Sequence, residues 1–183
     1  MAAMRSSDSI FLVGPMGAGK SAVGHRLAEE LGCEFIDSDE VIERRTGVDI
    51  PYIFEREGEA GFRARERLVI DELTQRPGVV LATGGGAAQD PGSRALLGAR
   101  GRVVYLHASV EQQLRRIRGS RQRPMLKKGD PREILEALMV QRDPQYREIA
   151  DVIVETDGRR VAAVTREIRR RLEELEQGGS GPS

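Results

Sequence analysis

Gly14-Pro15-Met16-Gly17-Ala18-Gly19-Lys20-Ser21 directly follows the apolar run Ile10 to Val13 and leads into a helix-like stretch, Ser21 to Leu31. The pattern G-x-x-x-x-G-K-S between a strand and a helix is a phosphate-binding loop in its expected setting. Its glycines let the backbone wrap closely around an anion with N–H groups pointing inward, and the following helix adds its positive N-terminus. Lys20 then reaches the outer phosphates and Ser21 offers its hydroxyl to Mg²⁺. The alternative, a tight Gly-rich turn without a ligand, leaves the lysine and serine unexplained.

Working outward from this loop, short apolar runs alternate with helical patterns. Ile10 to Val13, Glu34 to Ile36, Val79 to Thr83, Arg102 to His107 and Val152 to Val154 are the strand candidates. Five strands separated by helices predict an α/β fold: a five-stranded parallel sheet covered by helices on both faces, in three α/β/α layers. Helix ends are signalled by Gly32 after Leu31, by the capping-box spacing of Ser109-Val110-Glu111-Gln112, and by Asp130-Pro131-Arg132-Glu133. Phe62, Val69, Ile70 and Leu73 make an apolar stripe at helical spacing, and the last helix runs from about Val161 to Glu176. The ends, 1–8 and 177–183, are small and polar and are expected to fray.

At 183 residues the chain is expected to form one domain. Its 29 cations balance 29 carboxylates, so no global field draws it to nucleic acid or to an anionic membrane. Neither a signal peptide nor a transmembrane run stands out, which predicts a cytoplasmic protein. Cys33 is alone, excluding an internal disulfide, and reads as a small buried residue opening a strand. His25 and His107 lack partners at metal-ligand spacing and read as structural. One local imbalance stands out: Leu114 to Gly129 carries seven cations and no carboxylate.

In a parallel α/β sheet, ligands bind at the carboxyl ends of the strands. This places the phosphate loop, Asp37-Ser38-Asp39, Gly84-Gly85-Gly86 and the cationic stretch on one rim. If extended, Asp37 and Asp39 point the same way, one toward a metal and the other toward an acceptor hydroxyl. A turn aspartate capping a helix over Val41 to Arg45 is the other reading. Three successive glycines suggest close approach to a ligand, against a plain strand-to-helix turn. The cationic stretch, edged by Gly119-Ser120 and Gly129-Asp130, suits a lid that delivers Arg123 to the β- and γ-phosphates. A solvated basic face is its rival, and the lack of an aromatic residue there weighs against nucleic-acid stacking. Arg63 with Glu66 at i+3 suits a guanidinium held for an anionic substrate, although most such pairs are surface decoration.

Together these segments resemble shikimate kinase from Ser9 to about Leu172: G-P-M-G-A-G-K-S, F-I-D-S-D, G-E-A-G-F-R, L-A-T-G-G-G, R-P-M-L and Q-R-D-P-Q-Y occur in order. The resemblance implies a P-loop kinase fold with a lid at about 115–130 and a substrate-binding segment at about 37–66. It implies transfer of phosphate from ATP, with Mg²⁺, to the 3-hydroxyl of shikimate in aromatic amino acid biosynthesis, by a cytoplasmic monomer. By motif, Gly17, Ala18, Gly19, Lys20, Ser21 and Ala22 would hold the nucleotide, with Ser21 and Asp37 at the metal and Arg116 and Arg159 near the adenine. Asp39 would take the shikimate hydroxyls. Arg63 and Arg142 would clamp its carboxylate, with Glu66 holding Arg63. Gly84, Gly85 and Gly86 would line the substrate, Ile50, Phe54 and Phe62 would shape its pocket, and Arg123 would be the lid arginine. Met125 stands where members often have leucine, and Val161 where some place a proline against adenine. The rivals are a gluconate or aminoshikimate kinase of the same fold and a binding-only phosphate-loop module. Asp39 argues against the module, which needs no acceptor carboxylate.

Overall fold

The computed structural model describes residues 8–118 and 129–179. Its strands are β1 (Ile10–Val13), β2 (Glu34–Asp37), β3 (Val79–Ala82), β4 (Arg102–His107) and β5 (Val152–Glu155). They form one parallel sheet in the order β2-β3-β1-β4-β5. The helices between them are α1 (Lys20–Leu31), α2 (Ser38–Thr46), α3 (Ile50–Leu73), α4 (Pro91–Arg100), α5 (Val110–Ile117), α6 (Pro131–Ile149) and α7 (Val161–Gly178), with a 3₁₀ turn at Ala87–Gln89. The five expected strands are all present, with ends shifted by at most one residue.

Side-chain alternation along the strands builds the layers. Phe11 and Val13 of β1, Leu81 of β3 and Val103 and Tyr105 of β4 pack with Ile42, Phe62, Ile70, Leu97 and Tyr146 on one face. Ile10, Leu12, Val80, Val104 and Leu106 pack with Val23, Leu27, Val164, Ile168 and Leu172 of α1 and α7 on the other. Burial on both faces explains why the strands read as unbroken apolar runs.

Register decides where the loops emerge. Leu12 and Asp37 both pair with Ala82, so β1, β2 and β3 end almost level. Their loops therefore open side by side, and β1, in the centre, carries the phosphate loop between its neighbours.

Several local expectations need correction. Asp37 is extended but α2 begins at Ser38, so Asp39 lies in the first helical turn instead of continuing the strand. The Asp37 side chain accepts from the N–H groups of Asp39 and Glu40, so a helix needing a cap displaces the extended Asp-Ser-Asp arrangement. Cys33 is half-buried, because it lies on the turn before β2, the edge strand. α7 runs on to Gly178, taking in Gln177 and Gly178 from the segment expected to fray; residues 1–7 and 180–183 lie outside the described residues. The apolar stripe from Phe62 to Leu73 is only the second half of α3, which kinks at Gly58 with φ 73° and ψ 179°. A left-handed φ in mid-helix is the reason glycine stands there. His25 packs on Phe35 at 4.0 Å, and His107 Nδ1 lies 2.6 Å from Glu155 Oε2, so both histidines have structural partners.

Candidate active site

The cleft at the carboxyl ends of β1, β2 and β3 holds about 320 Å³ and is lined by Met16, Gly17, Gly19 to Ala22, Asp37, Asp39, Ala82 to Gly85 and Arg116. Its phosphate end is built from the loop. Gly19, at φ 89°, is the residue before α1 and turns the backbone into that helix. Lys20 Nζ donates to the carbonyls of Gly14 at 2.6 Å and Pro15 at 2.9 Å, holding the ammonium across the loop. Ser21 Oγ donates to Asp37 Oδ2 at 2.8 Å. Asp37 thus joins the loop to β2 while capping α2, as the helix-cap reading of it expects. Ala18 is buried and Ala22 exposed at the base of α1. Arg116 of α5 lies over the loop, its Nη1 2.7 Å from where a Cβ on Gly19 would be.

The other end is built from side chains. Thr83 donates its N–H to the carbonyl of Leu12, and the Gly84 N–H donates to Ser38 Oγ at 3.2 Å, fixing the start of the glycine run. A Cβ on Gly84 would lie 2.8 Å from Asp39 Oδ1 and 2.9 Å from Glu66 Oε2. A Cβ on Gly86 would overlap the Arg63 guanidinium. Close approach of carboxylates and guanidinium to the backbone is what excludes side chains here, so the run is more than a plain turn.

Arg63 Nη1 donates to Glu66 Oε1 at 2.8 Å, and its Nη2 lies 3.6 Å from Glu59. Unlike a surface pair, Glu66 is buried, with a side chain 4% exposed. Arg142 reaches the same place from α6 and is also buried. Its Nη1 is 3.4 Å from the Cβ position of Gly85. Among the described residues, Arg63 Nε, Arg142 Nε and Nη2, Asp39 Oδ1 and Glu66 Oε2 are buried without hydrogen-bond partners. Groups of this kind are rarely left unpaired in a native fold, and their clustering makes this corner a candidate ligand site.

Electrostatics follow from this burial. Desolvation, then repulsion from Glu66 and Asp37, pushes the Asp39 carboxyl up to about 7, with Lys20 and Arg63 pulling the other way. Desolvation also raises Glu66 against the opposing pull of Arg63, and lowers Arg142, which Arg63 further repels. Two guanidiniums in one buried corner attract an anion, and a carboxylic acid near neutrality beside a phosphate loop can take a proton.

A family model for shikimate kinase matches residues 16–173. The chain belongs to the shikimate kinase family. It is 62% identical over 168 residues to a shikimate kinase of Halorhodospira halophila, covering 92% of this chain and 95% of that one. It is 55% identical over 166 residues to one from Francisella tularensis subsp. novicida, covering 90% and 94%. A solved shikimate kinase from Acinetobacter baumannii in complex with shikimate superposes with a TM-score of 0.87 at 47% identity, over 96% of each chain. A gluconokinase from Sinorhizobium meliloti reaches a TM-score of 0.60 at 21% identity over 96% of this chain and 97% of its own, which shows a shared fold. The kinase is thus a P-loop fold enzyme that uses ATP.

Other anticipated residues have plain places. Phe54 and Phe62 stack with centroids 5.0 Å apart, Ile50 packs on the same core, and the Arg63 guanidinium lies 5.2 Å from the Phe62 ring centroid. Arg159 donates to the Glu155 carbonyl at 2.9 Å and to Glu167 at 3.2 Å, tying β5 to α7. Arg123, Met125 and residues 119–128 of the expected lid lie outside the described residues. Sequence reasoning missed Ser38 and Tyr146. Tyr146 stands four residues after Arg142 in the same helix, a spacing that puts both on one face.

Proposed function

We propose that this cleft passes the γ-phosphoryl group of ATP to the 3-hydroxyl of shikimate, whose carboxylate is clamped by Arg63 and Arg142 and whose reacting hydroxyl meets Asp39. The activity follows from family membership: ATP-dependent phosphorylation of shikimate in aromatic amino acid biosynthesis. The observation that carries the placement is the set of buried, unpartnered N–H groups of Arg63 and Arg142, which lie against Gly86 and Gly85 at the end of the glycine run that borders the phosphate-loop cleft. A carboxylate entering there satisfies donors that are otherwise unpaired, and bidentate geometry suits a guanidinium.

Asp39 accepts a hydrogen bond from the acceptor hydroxyl through its unpartnered oxygen. As the hydroxyl oxygen bonds to the γ-phosphorus, the bond to the bridging oxygen breaks, ADP leaves, and the hydroxyl proton passes to Asp39. Lys20 and the loop N–H groups meet charge on the outer phosphates, and Arg116 adds a cation above Gly19. Arg123 is proposed from its motif to add another.

The residues also fit Mg²⁺. Ser21 spends its proton on Asp37, leaving its oxygen lone pairs for a hard cation, and Asp37 supplies a nearby carboxylate. No group of three or more His, Cys, Asp or Glu that could hold a metal occurs among the described residues. The proposed ion would thus be completed by phosphate and water. When bound, it would neutralise charge on the transferring group. The even charge balance supports action without nucleic acid, and both ends of the site come from one chain, supporting a monomer. No described helix is long and apolar enough to cross a membrane; a cytoplasmic location is part of the same proposal.

The test is ADP release measured with shikimate, aminoshikimate, gluconate and no acceptor. Turnover is expected with shikimate and near background with gluconate. Equal release with and without shikimate would overturn the proposal.

A further inference from the structure

Tyr146 is wholly buried on α6, and its hydroxyl donates to the carbonyl of Gly85. That carbonyl belongs to the peptide joining Gly85 to Gly86, in the middle of the run that separates the phosphate loop from the arginine pair. On one side, the Cβ position of Gly85 is 3.5 Å from the Met16 amide nitrogen in the loop; on the other it is 3.4 Å from Arg142 Nη1. Three residues after β3 begins its exit are each fastened to a different element: Thr83 to Leu12 of β1, Gly84 to Ser38 of α2, and Gly85 to Tyr146 of α6. The last fastening is the one that reaches the helix carrying Arg142.

Glycines have wide backbone freedom, so two in succession do not fix the plane of the peptide between them. The turn closed by the Ala87 N–H on the Gly84 carbonyl at 3.1 Å brackets that peptide, and the buried bond from Tyr146 holds its carbonyl and ties it to α6. We propose that Tyr146 is a positioning residue for phosphoryl transfer, its hydroxyl fixing the Gly85–Gly86 peptide between the phosphate loop and the acceptor's carboxylate clamp. Its ring is held for the task. Tyr105 lies against it at 4.8 Å, and the Tyr105 hydroxyl donates to Asp143 Oδ1 at 2.7 Å, with Arg147 Nε 2.9 Å from Oδ2 of the same carboxylate. Burial pushes the Tyr146 hydroxyl up to about 12, opposed by Arg142 beside it, so it keeps its proton across the working range and stays a donor.

The inference rests on the placement of shikimate's carboxylate at Arg63 and Arg142, and three variants separate the two. Tyr146→Phe keeps the ring and removes the hydroxyl. Loss of a partner by a buried carbonyl next to the acceptor predicts a rise of about tenfold in KM for shikimate, with KM for ATP within about twofold. Tyr105→Phe removes a buried hydroxyl from the same aromatic stack without touching Gly85, and its KM for shikimate is expected to stay at the wild-type value while Tm falls. Arg142→Lys reads the clamp itself and is expected to raise KM for shikimate by more than Tyr146→Phe does. A folded Tyr146→Phe enzyme with lowered Tm and wild-type kinetics would overturn the inference, as would equal weakening of both substrates. An Arg142→Lys enzyme with unchanged KM for shikimate would instead overturn the clamp on which the inference stands.

Discussion

The two ends of the cleft solve ligand binding in opposite ways. At the phosphate end the polar groups are paired inside the protein: Lys20 on the Gly14 and Pro15 carbonyls, Ser21 on Asp37. At the acceptor end Arg63, Arg142, Asp39 and Glu66 each keep a buried polar atom with no partner. The first end is main chain shaped by glycine, partly open to water, with its lysine and serine side chains already paired. The second is built from side chains that keep buried polar atoms without a partner. Buried unpaired donors destabilise the empty protein, so on the proposed placement shikimate would relieve a strain that ATP does not. Specificity for an acid bearing hydroxyls would then reside at the end where mismatched groups stay unpaired.

The two ends should therefore fail differently. Lys20→Ala removes a cation that meets charge developing in the transition state, so kcat should fall roughly a thousandfold or more while shikimate affinity stays near wild type, measured by steady-state kinetics and titration. A parallel loss of shikimate affinity would show that the two ends are not separate. Arg63→Lys leaves Glu66 and the acceptor carboxylate without a planar fork. Breaking one side of such a buried pair costs about 2 to 5 kcal/mol, or roughly 30-fold to several thousand-fold in shikimate affinity, with ATP affinity nearly unmoved. Calorimetric titration with each ligand checks this.

Gly84→Ala probes the boundary. Its Cβ would press on Asp39 Oδ1 and Glu66 Oε2 at 2.8 and 2.9 Å, and two buried carboxylates can move aside only by leaving their working positions. A drop of about ten- to a hundredfold in kcat/KM for shikimate is expected. Wild-type kinetics in this variant would mean that the acceptor end is as yielding as the phosphate loop.

The smallest expected effect is a dependence of stability on pH in the ligand-free protein. Asp39 is held at about 7 when folded, against an ordinary 3.8. The folded state therefore binds this proton more tightly, so its contribution to stability is complete below about pH 4 and is lost as pH rises through 7. Asp39→Asn lacks that proton equilibrium. The Tm of wild type minus that of Asp39→Asn should decrease between pH 5 and pH 8. A difference that stays flat would indicate that Asp39 ionises freely and that this end is already satisfied.

Much of this was legible in the sequence because strand and loop signals are local. A strand buried on both faces has an apolar run, and a phosphate loop has its glycines and lysine at fixed spacing. Asp37 shows where local reading stops: a carboxylate after a strand suits a metal site and a helix cap equally, and only the register of β2 against β3 brings it to Ser21. Spacing alone left Arg63 and Glu66 looking like a surface pair. Their meaning depends on burial beneath Gly86, which comes from a segment about twenty residues away. Tyr146 escaped notice because a tyrosine in an amphipathic helix looks like any core residue until its hydroxyl partner is known. The kink at Gly58 was hidden for the opposite reason: one glycine within a helical pattern carries no sign of which φ it adopts.

The position of β1 in the sheet has a consequence for how the enzyme comes into being. Ile10 pairs with Val80 on one side and Arg102 on the other, so the strand bearing the phosphate loop can find neither neighbour until most of the chain's first hundred residues exist. Closing loops of that length before any reward makes the central pairing a slow, late event. The acceptor end waits longer, because Arg142 and Tyr146 belong to a helix farther along. Arg142 and Tyr146 are thus the last of these residues to be made, after the phosphate loop, Asp39, Arg63 and the glycine run that they close upon.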